Sequence, residues 1–212
     1  MINRYLIGNA QTIGYREVQN NYFSTIYNDA GDLLAVLADG SIDHRNGRMA
    51  AIVAVGSCVS TFTQKFSNLE PEQTGDFLLQ TALKAKRQVQ DTVYIGKIPR
   101  VSLTMALFRG QDMYYFGVGT NKIFLYNGHN ERILSEESAS PYYGGKLAVD
   151  NKNIIGVLSA GAYENAHPME RIKVIESKAE IHDKAQTIIE SVSKKNLMVQ
   201  LNATVLLIEV AK

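Results

Sequence analysis

Leu33-Leu34-Ala35-Val36-Leu37-Ala38 is a run of six residues with no polar side chain, entered from the turn Asn28-Asp29-Ala30-Gly31-Asp32 and closed by Asp39-Gly40. A short apolar run between turn signals reads as a buried strand, so the chain must build layers around it. Asp39 then stands at the C-terminal end of that strand, a place that suits a hard cation. The polar loop that follows, ending at His44-Arg45-Asn46-Gly47, lacks the further acids that two dications would require.

Around this run the pattern alternates between two periods. Tyr5 to Gln11 and Tyr22 to Tyr27 are strand-like and, with Leu33 to Ala38, predict an opening antiparallel sheet. From Arg45 to about Phe66 the apolar residues are too many for a one-sided surface helix, which predicts a helix between layers. Ser67-Asn68-Leu69-Glu70-Pro71 ends it and starts a second helix reaching about Val93, with Phe77, Leu78, Ala82, Leu83 and Ala85 inward and Lys84, Lys86, Arg87 and Gln88 solvated. Val101 to Phe108, Met113 to Val118, Lys122 to Tyr126 and Arg132 to Ser135, joined by turns rich in Gly and Asn, predict an antiparallel meander. Ile154 to Ser159 is a further buried run, His182 to Lys194 a helix, and Ala203 to Val210 a closing strand. This order suits an α+β fold of two packed antiparallel sheets flanked by helices.

The 212 residues carry charge without a shift in composition, and residues 1–212 are read as one domain. With 22 basic and 21 acidic residues the net charge is +1, which supplies no electrostatic footprint for nucleic acid or an anionic membrane, and neither is an expected partner. The single Cys58 excludes an intramolecular disulfide and reads as a small hydrophobe on the buried helix. Met1 to Tyr5 has no basic segment leading into an apolar one, and no apolar stretch is read as approaching the ~20 residues of a bilayer span, so the expected compartment is the cytoplasm.

Several motifs in order carry a resemblance. Gly14-Tyr15-Arg16-Glu17-Val18-Gln19-Asn20-Asn21 is similar to G-x-R-x-x-N-E/Q-D, and Asp39-Gly40-Ser41-Ile42-Asp43-His44-Arg45-Asn46-Gly47-Arg48-Met49-Ala50-Ala51 to D-G-M-G-G-H-x-x-G-x-x-A-S. Ser102 to Leu107 with Val118-Gly119-Thr120-Asn121-Lys122 is similar to T-T-x-x-x-A and V-G-D-S-R. Leu158-Ser159-Ala160-Gly161 is similar to S-D-G with its preceding residue, and Leu201-Asn202-Ala203-Thr204-Val205 to D-N-x-T-V. On these motifs the chain resembles, over essentially its full length, the metal-dependent protein phosphatase (PPM, protein phosphatase 2C-like) family. The resemblance implies an αββα four-layer sandwich with a metal centre between its two antiparallel sheets.

It also implies where the metal ligands should be. In the family, aspartates of the first, S-D-G and D-N motifs join the aspartate and glycine carbonyl of D-G in binding two Mn²⁺ or Mg²⁺ ions. The matching positions here are Asn21, Ala160, Leu201, Asp39 and Gly40, and Thr120 stands where V-G-D-S-R supplies an aspartate around a third metal. Asn21 offers an amide oxygen without charge, Ala160 offers nothing, and Leu201 puts an apolar branch where a hydrated ion would sit. Asp43 and Glu164 are the candidate replacement ligands, read mainly as solvated loop residues; any metal held by Asp39 and Gly40 would be one weakly bound ion. Arg16 matches the phosphate-contacting arginine, and its fork could grip a phosphate or form a salt bridge. His44 reads as a cap or packing group.

No cysteine-histidine metal spacing, phosphate-binding glycine loop or G-x-S-x-G elbow competes. The expected function is therefore an impaired or inactive pseudophosphatase that binds a protein, including a phosphoprotein, without a cofactor. The alternatives are a serine/threonine phosphatase using Mn²⁺ or Mg²⁺ with ligands rearranged around Asp39, and an oligomeric scaffold subunit.

Overall fold

The computed structural model describes residues 4–40, 46–93, 100–136, 140–195 and 201–211. In chain order the elements are β1 (Tyr5–Thr12), β2 (Asn21–Tyr27), β3 (Leu33–Gly40), α1 (Gly47–Lys65), α2 (Thr74–Val93), β4 (Val101–Arg109), β5 (Asp112–Val118), β6 (Lys122–Tyr126), β7 (Glu131–Ile133), β8 (Tyr142–Ala148), β9 (Ile154–Leu158), α3 (Ala160–Asn165), α4 (Pro168–Ile175), α5 (Ile181–Lys194) and β10 (Ala203–Val210). They form two five-stranded antiparallel sheets with helices, an α+β architecture. The chain divides into two compact units, each built on one sheet: Asn20–Gly119 with Ser138–Ala148, and Met1–Gln19 with Thr120–Glu137 and Val149–Lys212.

The first of these units holds the sheet β2-β3-β4-β5-β8. Because side chains alternate along a strand, Leu34, Val36 and Ala38 of β3 point with Leu103, Met105 and Leu107 of β4 toward α1 and α2, while Asp39 points to the opposite face. Helix α1 meets this face with Ala50, Ala51, Ala54, Val55, Cys58 and Phe62, all buried. Phe62 stacks on Phe66 and Phe66 tilts against Phe77, while the Arg109 guanidinium lies over Phe66 and donates to the Leu69 carbonyl at 2.6 Å. Burial pushes the Cys58 thiol up to about 12, so it stays a neutral packing group.

The other unit holds the sheet β1-β10-β9-β6-β7, covered by α5 and α3. Its polar anchor is Arg171 of α4, 1% exposed, which donates from Nε and Nη2 to the two carboxylate oxygens of Glu131, each at 2.6 Å, and from Nη1 to the Ala166 carbonyl. The guanidinium also lies over the rings of Phe124 and Tyr163, so the buried cation is paired, hydrogen-bonded and packed on aromatic rings.

The structure corrects several expectations. The opening three strands do not form one sheet: β2 pairs with β3, but β1 pairs with β10 along the whole of both strands. The meander is divided between sheets, since β5 pairs with β8 and β6 with β9, with the switch at Gly119-Thr120. The Gly144-Gly145 segment belongs to strand β8, an element the sequence pattern did not predict, where Gly144 lies against Phe116 and Gly145 against Tyr115. Leu83, assigned to the inner face of α2, is 40% exposed. Gly47–Asn68 is long and apolar enough to cross a membrane by length and composition, contrary to the reading of the sequence, although half of its apolar window is buried on the sheet.

Candidate functional site

In the first unit, β3 is held between β2 and β4, and the register sets Asn21, Asp39 and Ser102 side by side across the three strands. Asn21 is 1% exposed and Asp39 is half-buried. Gly40 follows directly; its N–H donates to the Asn20 carbonyl at 3.1 Å, and a side chain there would run into the Gly47 backbone. That close approach requires glycine and fixes the start of α1 against the end of β3. Burial pushes the Asp39 carboxyl up to about 6. A carboxyl so placed holds its proton more readily, and a metal would have to displace that proton.

In the second unit, the loop after β1 carries Arg16 and is tied to the start of β10. Asn202 Nδ2 donates to the Ile13 carbonyl at 2.9 Å, and Gln19 Nε2 donates to the Thr12 carbonyl at 3.1 Å. Gly14 takes φ 63°, the turn that swings Arg16 back so that its own N–H reaches the Ile13 carbonyl. Arg16 is half-buried, and its Nε is buried without a hydrogen bond. A buried guanidinium nitrogen lacking an acceptor is an incomplete arrangement, because Arg has five donors and no way to shed its charge.

Ala160 opens α3 beside the same end of β10. Ser159 Oγ accepts the Thr204 N–H at 3.0 Å, and a side chain at Gly161 would meet the Asn202 carbonyl and the Leu201 Cβ. The structure thus brings Ala160 and Leu201 together, next to the residue that anchors the Arg16 loop. Thr120 is exposed in the turn between β5 and β6, and Glu164 is exposed on α3. Asp43 and His44 lie outside the described residues.

Within the first unit the register places beside the half-buried Asp39 carboxylate one amide, Asn21, and one hydroxyl, Ser102. A pair of divalent cations needs several ionised oxygens in fixed geometry, and the described residues include no group of three or more His, Cys, Asp or Glu side chains that could hold a metal ion. Sequence reasoning missed Ser102, the lateral neighbour of Asp39, and the tie from Asn202 to Ile13; the asparagine kept at the start of β10 was the available signal for the second.

No protein-family model matches the sequence, and no curated protein matches it. Solved structures do match the whole chain. The S. agalactiae serine/threonine phosphatase is 19% identical with a TM-score of 0.84, covering 97% of this chain and 99% of that one. The Staphylococcus aureus serine/threonine phosphatase Stp1 is 14% identical with a TM-score of 0.83, covering 97% and 95%. The catalytic domain of the serine/threonine protein phosphatase PstP, in a complex with 2 manganese ions, is 14% identical with a TM-score of 0.77, covering 98% and 99%. The chain has the PPM phosphatase-like fold.

Proposed function

We propose that this protein is a pseudophosphatase: it keeps the PPM frame, does not hold the paired metal, and binds a phosphorylated protein through Arg16. The observation that carries this reading is the contrast between the two clusters. Among the described residues the Asp39 group offers too little negative oxygen for two dications, whereas Arg16 keeps a buried donor with no acceptor. A phosphate oxygen supplies that acceptor, and the guanidinium fork needs no metal to take it. The metal-dependent step has no support from these residues, so the mechanism is recognition: charge-assisted hydrogen bonds to the phosphoryl group, with partner selectivity drawn from surrounding protein contacts.

The test is binding of a fluorescent phosphoserine peptide in EDTA. Wild-type protein is expected to bind it at least about tenfold more tightly than its unphosphorylated form, and Arg16→Ala to lose that preference, as expected for removal of charge-assisted bonds. Unchanged preference in Arg16→Ala contradicts the reading. The rival is a phosphatase with ligands rearranged around Asp39, and it requires Mn²⁺-dependent hydrolysis of an aryl phosphate that disappears in Asp39→Ala.

A further inference from the structure

On its helix-bearing face the sheet β2-β3-β4-β5-β8 is only partly covered. Helix α1 lies over β2, β3 and β4, and α2 lies over β5. Beyond α2 the β8 residues on this face, Tyr142, Gly144 and Lys146, are exposed, Tyr142 at 53%. Between α2 and the floor made by Leu103, Phe116 and Val118 is a cavity of about 420 Å³. A second hollow of about 590 Å³ continues toward the start of α2, and the two share Leu79, Phe116 and Tyr142. They form one groove along α2 at the β5–β8 edge of the sheet.

The α2 wall of this groove runs from Gly75 to Gln90, with Glu72 just ahead of the helix. At 1.5 Å rise per residue that is about 23 Å of helix, roughly four turns. Leu79 and Leu83 on this wall are 39% and 40% exposed, a cost that a soluble surface does not need. The ends carry opposite charge: Glu72 and Asp76 at one, Lys86 and Arg100 at the other. All four are exposed and none forms an ion pair with a described residue, whereas Lys146, also at the acidic end, is taken by Asp112 at 2.9 Å.

We propose that the groove docks an amphipathic α-helix of a partner protein, lying antiparallel to α2. A helix fits because the open strip beside α2 is the place of a third helix in that layer, and two large apolar anchors about two turns apart would fill the two hollows. Charge sets the direction. Helices favour acids in the first turn and bases in the last, and such a helix meets Lys86 and Arg100 with its acids and Glu72 and Asp76 with its bases only when it runs against α2. The same direction opposes the two helix dipoles.

The test uses the full chain and two fluorescein-labelled amphipathic helical peptides of about 18 residues, long enough to span the groove wall. They share one apolar face; the first carries Glu in its first turn and Lys in its last, and the second has these exchanged. Anisotropy at low salt is expected to show the first binding about tenfold more tightly, Leu83→Asp weakening it about tenfold, and the combined charge reversal Glu72→Lys, Asp76→Lys, Lys86→Glu and Arg100→Glu inverting the preference. Thermal melting of each variant verifies that it is folded. Equal affinity for the two peptides, or no binding of either below about 1 mM, overturns the proposal.

Discussion

Asp39 is a carboxyl group whose setting works against its charge. Its ordinary value of 3.8 rises to about 6 because it is buried. Between about pH 4 and pH 6 the folded protein therefore holds a proton that the unfolded chain has released, so stability falls as pH rises through that window. A shift of this size corresponds to roughly 2 to 3 kcal/mol at neutral pH. Asp39→Asn is expected to stabilise the protein by about that amount at pH 7.5, and the gain should vanish below about pH 4, as urea denaturation at the two pH values would reveal. At this scale the sequence was informative about identity: Asn21, Ala160 and Leu201 announce a missing charge as soon as the motifs are aligned. It was silent about surroundings, since neither the burial of Asp39 nor the bare Arg16 Nε follows from residue type.

Among the elements, those with a clear internal pattern were legible. Helix α5, with Ile181, Ala185, Ile188, Ile189 and Val192 buried along one face, and β10, an uninterrupted apolar strand, were read to within a residue. Strand β8 was not, because Gly144 and Gly145 carry turn chemistry while their strand role comes from packing against Phe116 and Tyr115. Nor was the division of the meander: Gly119, at φ 93°, has the same look as the hairpin glycines Gly110 and Gly128, although the chain leaves the sheet there. The Arg171–Glu131 pair, joining α4 to β7 across 40 residues of sequence, was likewise hidden. Removing one member leaves a buried charge unpaired, so Arg171→Ala is expected to cost about 3 to 5 kcal/mol, measured by denaturation. Arg171→Met combined with Glu131→Leu should recover a large part of that loss.

For the whole molecule, topology is set by contacts far apart in sequence. The first strand pairs with the last, Tyr5 opposite Val210 and Thr12 opposite Ala203, and β10 in turn carries β9. Local patterns cannot reveal such pairing, which explains why the two-sheet class was legible and the strand partners were not. Deleting residues 203–212 is expected to abolish the cooperative unfolding transition seen by circular dichroism, because β1 and β9 both lose their neighbour.

On the proposed reading, the phosphatase-like frame lacks the negative oxygen to retain a pair of dications. The deciding measurement is calorimetric titration with Mn²⁺ at pH 7.5, with a variant carrying Asn21→Asp, Ala160→Asp and Leu201→Asp alongside the wild type. Wild-type protein is expected to bind no tighter than about 1 mM, and the variant measurably more tightly. Two wild-type sites filling at micromolar Mn²⁺ would contradict that reading.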